Sequence, residues 1–225
     1  MLRTCASPRF ALFTAALLAL AAAPVAAQEI GPYFGAGVGG IRDVRRPFGG
    51  GIAGTLLFHD WIGVHASAGY YWTLEHRAVP NCHPGVGEPV VCTGSLELAS
   101  HSHFPQLDAL LMLRKHFQGK GFGVEGGLGP AYVNVTNEIK TNRDSVYSPR
   151  ITSSAVGLVY MAGVWVHPPW TLPLTFEGAY AYHQTGAFKA CTNMSPLTDP
   201  LCNRHLNFHE LRISALWRVG ATPKP

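Results

Sequence analysis

The chain has little charge and, beyond its N-terminus, no long apolar run. Asp, Glu, Lys and Arg together make up 13% of the 225 residues, although 47% of the residues are hydrophobic. A membrane-spanning helix needs about 20 consecutive apolar residues, and no later segment supplies them. The formal charge of +4 falls to +2 without Arg3 and Arg9, which is too small to indicate a nucleic-acid partner. The composition therefore excludes a helical membrane protein and gives no sign of nucleic-acid binding.

The N-terminus has the features of a secretory signal peptide. Arg3 and Arg9 precede an apolar run over 10–23, and the small residues Val25, Ala26 and Ala27 follow it. A basic start, an apolar run and small residues before the cleavage point are typical of such signals. We predict a signal peptide over 1–27, cleaved after Ala27, and hence an exported chain.

Apolar residues alternate with small or polar ones through most of the mature chain. This period of two predicts β-strands with one face in apolar surroundings. In the clearest segment one face carries Ile62, Val64, Ala66, Ala68, Tyr70 and Trp72. Eight segments follow the pattern: 32–41, 50–58, 62–73, 106–114, 122–136, 152–166, 172–185 and 211–219.

The connections between these segments alternate in length. Short connections span 59–60, 118–121 and 167–171, and longer, more polar ones span 42–49, 75–103, 137–150 and 186–207. Short periplasmic turns and long outer loops are typical of outer-membrane barrels. We therefore predict an all-β fold: an eight-stranded antiparallel up-and-down transmembrane β-barrel over 28–220, with a short periplasmic tail at 221–225.

Aromatic residues fall near both predicted rims of the barrel. Those near the short turns are Phe34, Phe58, Trp61, Phe117, Phe122 and Trp217, and those near the long loops are Tyr70, Trp72, Tyr132, Tyr180 and Tyr182. Amphipathic rings favour the membrane–water interface, so two such girdles indicate a barrel in a bilayer. A soluble lipocalin-like barrel is the alternative, but it would need a polar outer face. Pro130 interrupts the fifth segment, where its missing N–H predicts a β-bulge.

Charged residues fall on the predicted inward faces: Asp108, Arg114, Glu125, Glu177, Arg212 and Arg218. Side chains can fill the interior of an eight-stranded barrel, so opposite charges there are expected to pair. We expect Glu125 and Glu177 to pair with Arg114 and Arg212, giving a plugged barrel. A narrow solute pore is the alternative, whereas a wide porin channel needs about twice as many strands. No motif for a cofactor or metal is recognised.

Four cysteines remain after cleavage, all in predicted long loops: Cys82, Cys92, Cys191 and Cys202. Disulfides are expected in the oxidising periplasm, and three pairings are possible. Cys82–Cys92 and Cys191–Cys202 are the most local pairs. A metal site is the alternative for one loop, with Cys82, His83, Cys92, His101 and His103 as candidate ligands, although zinc ligands are usually spaced more regularly.

Other loop residues suggest partners. Basic residues in the outward loops would meet lipopolysaccharide phosphates or remain solvated: Arg45, Arg46, Lys140, Arg143 and Arg150. The expected partners are outer-membrane lipid, lipopolysaccharide, the barrel-insertion machinery and an unidentified loop ligand. Nothing indicates oligomerisation, so a monomer is expected.

A catalytic interpretation rests on His183 and Thr185, which share one strand face. A histidine beside a hydroxyl can act as base and nucleophile, with Glu177 or Glu210 orienting the ring. The spacing resembles the His-x-Ser pair of the lipid A deacylases, which are outer-membrane barrels. An inward histidine that fills the barrel is the simpler interpretation, so we expect no enzymatic activity.

The whole mature chain resembles the OmpA/OmpX-type eight-stranded outer-membrane barrels. The resemblance lies in the signal peptide, the strand alternation, the aromatic girdles, the loop lengths and the charged interior. It implies a monomeric integral barrel that acts through its surface loops, in adhesion, shielding or envelope integrity.

Overall fold

A computed structural model describes residues 27–41, 44–59, 61–83, 91–117, 121–141, 150–169, 172–188 and 204–219. The predicted signal peptide as far as residue 26 lies outside this part of the chain. So do Cys191, Cys202, Arg143 and the predicted tail. Within the described residues no helix is long and apolar enough to cross a membrane.

Eight long strands form one antiparallel sheet. They are β1 (Ala27–Ile41), β2 (Phe48–His59), β3 (Ile62–His83), β4 (Val91–His116), β5 (Phe122–Thr141), β6 (Arg150–Val166), β7 (Leu174–Ala187) and β8 (His205–Val219). Each strand pairs with the next, and β1 also pairs with β8, for example Ile30 with Trp217. The sheet therefore closes on itself, which confirms the predicted up-and-down barrel. A two-residue strand, Val44–Arg45, pairs with the end of β1.

The alternation in the sequence separates two environments. In β8, Leu211 and Ile213 are each 67% exposed, whereas Arg212 between them is 1% exposed. Ten of the eleven predicted girdle aromatics are exposed, and Tyr182 is half-buried. The barrel thus carries apolar side chains outside and a mixture of charged, polar and apolar side chains inside, and an apolar outer band is what a lipid-facing surface requires.

The hairpin of β3 and β4 is much longer than predicted. The prediction of a loop over 75–103 is wrong, because the two strands stay paired as far as His83 and Val91. Pairing of β2 with β3 stops at Phe48 and Trp72, so the hairpin continues well beyond the neighbouring β2. We call residues 73–83 and 91–102 the hairpin arm. Over 75–83 apolar and polar residues do not alternate in the sequence, so this segment has no period of two to detect.

Pro130 causes no bulge, contrary to the prediction. Asp108 pairs with Ala131 and Leu111 pairs with Leu128, so the β4–β5 register is the same on both sides of the proline. On its other side β5 pairs continuously with β6. The neighbouring Gly129 lets β4 approach closely, since a Cβ there would lie 1.9 Å from the Ala109 carbonyl oxygen. The strand therefore loses ladder contacts locally without inserting a residue.

Candidate functional site: the barrel interior

Arg114 is the centre of a charged cluster near the short-turn end of the barrel. Its Nη1 donates to Glu29 Oε2 at 2.7 Å, and its Nε donates to Glu125 Oε2 at 2.9 Å. The Thr175 hydroxyl donates to Glu29 at 2.9 Å, and Arg218 Nη2 lies 3.3 Å from the same carboxylate. We call Glu29, Arg114, Glu125, Thr175 and Arg218 the lower cluster. It joins β1, β4, β5, β7 and β8 across the lumen.

Three carboxylates were predicted in the interior: Asp108, Glu125 and Glu177. Among the described residues, Glu177 is the only one of the three without an arginine partner. It is buried beside Glu125, with β6 between the two strands. The expected pairing of both glutamates with arginine is therefore seen for Glu125 alone.

Arg212 forms a second, separate cluster in the middle of the barrel. Its Nη2 lies 3.2 Å from Asp108 Oδ2 and 3.0 Å from Glu210 Oε2, and Nη1 donates to Ser67 Oγ at 3.1 Å. The guanidinium also lies over the Tyr33 ring, 4.4 Å from its centroid. Arg212 thus pairs with Asp108 and Glu210 rather than with the glutamates expected from the sequence. We call this set the central cluster.

His183 belongs to the central cluster through both ring nitrogens. Nε2 lies 2.8 Å from Glu210 Oε2, and Nδ1 lies 3.3 Å from Gln106 Nε2. The ring stacks on Phe208 with centroids 4.4 Å apart. The Tyr71 hydroxyl donates to the other oxygen of Glu210. Histidine and carboxylate are therefore in contact, in the fully buried interior.

Thr185 lies on the same inward face but is bonded elsewhere. Its hydroxyl accepts a hydrogen bond from the Leu206 amide at 2.7 Å. Its own amide donates to Asn207 Oδ1 at 3.2 Å. Glu210, one of the two candidate orienting residues, thus contacts His183 as predicted. The candidate nucleophile, the Thr185 hydroxyl, is instead hydrogen-bonded to the backbone of β8.

Apolar side chains cover the central cluster toward the long loops. Tyr71 stacks on Phe104 with centroids 5.5 Å apart, and Phe104 meets the edge of Phe208 at 6.1 Å. We call the buried set around them the apolar layer: Phe104, Val133, Val135, Phe188, Leu206 and Phe208. It lies between the charged interior and the loops.

Glycine makes room for the central cluster. A Cβ on Gly35 would lie 1.9 Å from Glu210 Oε1 and 3.0 Å from the Tyr71 hydroxyl. The Glu210 carboxylate thus occupies space that any other residue at this position would fill. Its oxygens are held by Tyr71, His183 and Arg212, so it is not free to move aside.

Several interior residues were not predicted. Glu29 was missed because the first strand was expected to begin at residue 32, although the alternation extends back to it. The partners Tyr33, Ser67, Tyr71 and Gln106 face inward in the correct period, but their contacts depend on which strands meet across the lumen.

The metal alternative gains no support from the residues that can be described. These contain no group of three or more His, Cys, Asp or Glu side chains able to hold a metal ion. The side chains of Cys82, His83 and Cys92 lie outside this description. The backbone register nevertheless pairs Cys82 directly with Cys92.

Solved structures are similar to this chain in fold. No family model and no curated protein matches it. A major outer membrane protein from Thermus thermophilus is 16% identical over 86% of this chain and 99% of its own, with a TM-score of 0.49. The N-terminal β-barrel domain of Pseudomonas aeruginosa OprF is 14% identical over 85% of this chain and 97% of its own, with a TM-score of 0.43.

The outer membrane protein OprG from Pseudomonas aeruginosa has the higher TM-score of 0.53. It is 14% identical, covering 88% of this chain and 98% of OprG. Identity this low bears on architecture and not on activity. Together with the closure of β1 on β8, the likeness to OprG confirms the OmpA/OmpX-type architecture predicted from the sequence. The chain therefore has the fold of the eight-stranded outer-membrane β-barrels.

Proposed function

We propose that this chain is an integral outer-membrane barrel whose interior is closed to solutes and whose surface loops carry its role in adhesion, shielding or envelope integrity. The observation that carries the proposal is the inversion of polarity. Exposed Leu and Ile alternate with buried, ion-paired Arg along the same strands. An exposed apolar band is stable only against lipid, and buried charges are stable only when paired.

The residues that fill the lumen support a closed interior. The lower cluster, the central cluster and the apolar layer follow one another along the lumen. A hydrated ion would have to break the Arg212 contacts to Asp108 and Glu210 and then cross an apolar layer. A narrow solute pore is therefore the less favoured function.

The test combines two measurements on the full mature chain. We expect the detergent-extracted protein to migrate differently on gels before and after heating, and to give no stable conductance in a planar lipid bilayer. Replacing Phe104 and Phe208 by Ala, which thins the apolar layer, is the matched perturbation. Solubility without detergent would refute membrane residence, and steady single-channel currents from the unaltered protein would refute the closed interior.

We propose that His183 and Thr185 fill the barrel rather than catalyse a reaction. Their buried hydrogen bonds to Glu210 and Leu206 support this role. We expect cells producing the His183→Gln or Thr185→Val protein to have the same lipid A acylation pattern as cells producing the unaltered chain. Mass spectrometry of extracted lipid A measures the pattern. A pattern that depends on either residue would instead establish a lipid A-modifying enzyme.

A further inference from the structure

A groove runs along the outside of the barrel near the short-turn end of β4 and β5. It has a volume of about 630 Å³ and is lined by Trp61, Leu113, Lys115, His116, Val124 and Gly126, with Arg114 and Glu125 of the lower cluster completing the lining. This volume lies in the range of small-molecule sites, which is about 300–1,000 Å³. Unlike the interior clusters, the groove opens on the apolar outer face.

Three elements build the groove. Trp61 stands in the turn between β2 and β3, and its carbonyl accepts a hydrogen bond from the Arg114 amide at 2.8 Å. Leu113 pairs with Gly126, and Lys115 pairs with Val124, across the β4–β5 ladder. The missing side chain of Gly126 leaves the space between the apolar walls.

The charge in the groove differs from that of the surrounding surface. Lys115 is exposed, one residue before the end of β4, and no carboxylate of the described chain pairs with it. Its neighbours Leu113, Val124 and Trp61 are exposed apolar side chains. A lysine at such a site extends its apolar stem along the barrel and places its ammonium at the membrane surface.

We propose that this groove binds one anionic glycerophospholipid of the periplasmic leaflet. One acyl chain lies over Gly126 between Leu113 and Val124, and the lipid phosphate meets the Lys115 ammonium beside the Trp61 ring. Charge complementarity and an apolar slot on a single lipid-facing surface select this occupant over a second copy of the chain. The inference rests on the proposed residence in the outer membrane.

The test titrates palmitoyl-oleoyl phosphatidylglycerol into the detergent-solubilised full mature chain and counts bound lipid by native mass spectrometry. We expect the unaltered chain to retain one lipid per barrel. For Lys115→Gln, and for Gly126→Leu, which fills the slot, we expect lipid retention to fall at least about fivefold. Diacylglycerol, which lacks the phosphate, is expected to bind the unaltered chain more weakly than phosphatidylglycerol does. We expect Lys115→Gln to leave its retention unchanged and Gly126→Leu to lower it, because that variant fills the slot for the acyl chain.

Gly178→Leu is the matched control. Both glycines have room for a side chain, since a Cβ on Gly126 would meet only the Met161 carbonyl oxygen at 3.5 Å and a Cβ on Gly178 would meet nothing within 4 Å. Equal retention by Gly126→Leu and Gly178→Leu would overturn the proposal, as would a dimer in place of the lipid adduct.

Heat-modifiable gel mobility identifies folded variants, and Lys115→Gln gives the decision if Gly126→Leu does not fold. If the unaltered chain lacks that mobility shift, membrane residence fails. If it has the shift but retains no lipid, the groove alone fails.

Discussion

At the scale of single residues, two arginines organise the interior and one glycine makes space for it. The inward direction of Arg114 and Arg212 follows from the period of two, because a strand residue between two lipid-facing ones must point into the lumen. Their partners do not follow. Glu29 and Arg114 are far apart in the sequence, and β1 and β4 are not neighbouring strands, so the two residues meet only because the closed barrel points both side chains into one narrow lumen.

We expect Arg212→Ala to reduce the free energy of unfolding by about 3–5 kcal/mol, because Asp108 and Glu210 would remain buried without their shared partner. Arg218→Ala is the comparison, since this side chain is 27% exposed and solvent screens its pairing with Glu29. For it we expect a loss of about 1 kcal/mol or less. Urea unfolding in detergent measures both, and equal losses would argue against the central cluster as the main electrostatic element.

We expect Gly35→Ala to destabilise the barrel by about 1–3 kcal/mol, because the new methyl group would displace the Glu210 carboxylate from Tyr71 and His183. Gly178→Ala is the control, since its Cβ would meet nothing within 4 Å. The measurement is the fraction of heat-modifiable barrel at increasing urea. If the two variants unfold together, steric exclusion at Gly35 is not what shapes the cluster.

At the scale of elements, the strand count was predictable and the strand lengths were not. A period of two appears where a strand has one apolar face, and in the sequence the alternation of β3 stops near residue 74. The hairpin arm continues as paired strand past that point, and its sequence therefore looked like loop. The β-bulge predicted at Pro130 is absent for a different reason. The sequence shows that proline lacks an N–H donor, but it does not show that Gly129 lets β4 approach closely without a bulge.

The register of the hairpin arm leads to a specific disulfide prediction. Cys82 is opposite Cys92 in the backbone register of β3 and β4, and this is one of the two most local pairings that the sequence allows. We expect both thiols to resist alkylation until the protein is reduced, as measured by mass spectrometry of peptides from non-reduced protein. In the Cys82→Ser chain we expect Cys92 to be alkylated without reduction. Alkylation of Cys92 in the unaltered, non-reduced chain would contradict the pairing.

At the scale of the whole molecule, the barrel resembles a folded soluble protein with its two environments exchanged. The outer band needs no polar surface, and the buried charged residues all lie within the lumen: Glu29, Asp108, Arg114, Glu125, Glu177, Glu210 and Arg212. There they join strands that are distant in the sequence, and the closure of β1 on β8 brings the first and last strands into the same clusters. Stability and closure are therefore coupled, because an open sheet would leave these charges without partners.

The alternation of side chains also has a consequence for the route by which the chain reaches its destination. A polypeptide crosses the inner membrane as an extended thread, and that membrane retains segments with a long continuous apolar run. Here most outward-facing residues are interleaved with Gly, Ser, Thr, His or charged residues, and the apolar stretch over 155–166 in β6 is shorter than the roughly 20 residues that a spanning helix needs. The apolar surface becomes continuous only when neighbouring strands align. For the outer-membrane barrel that we propose, the same interleaving means that the chain acquires an apolar surface only when it folds, after export.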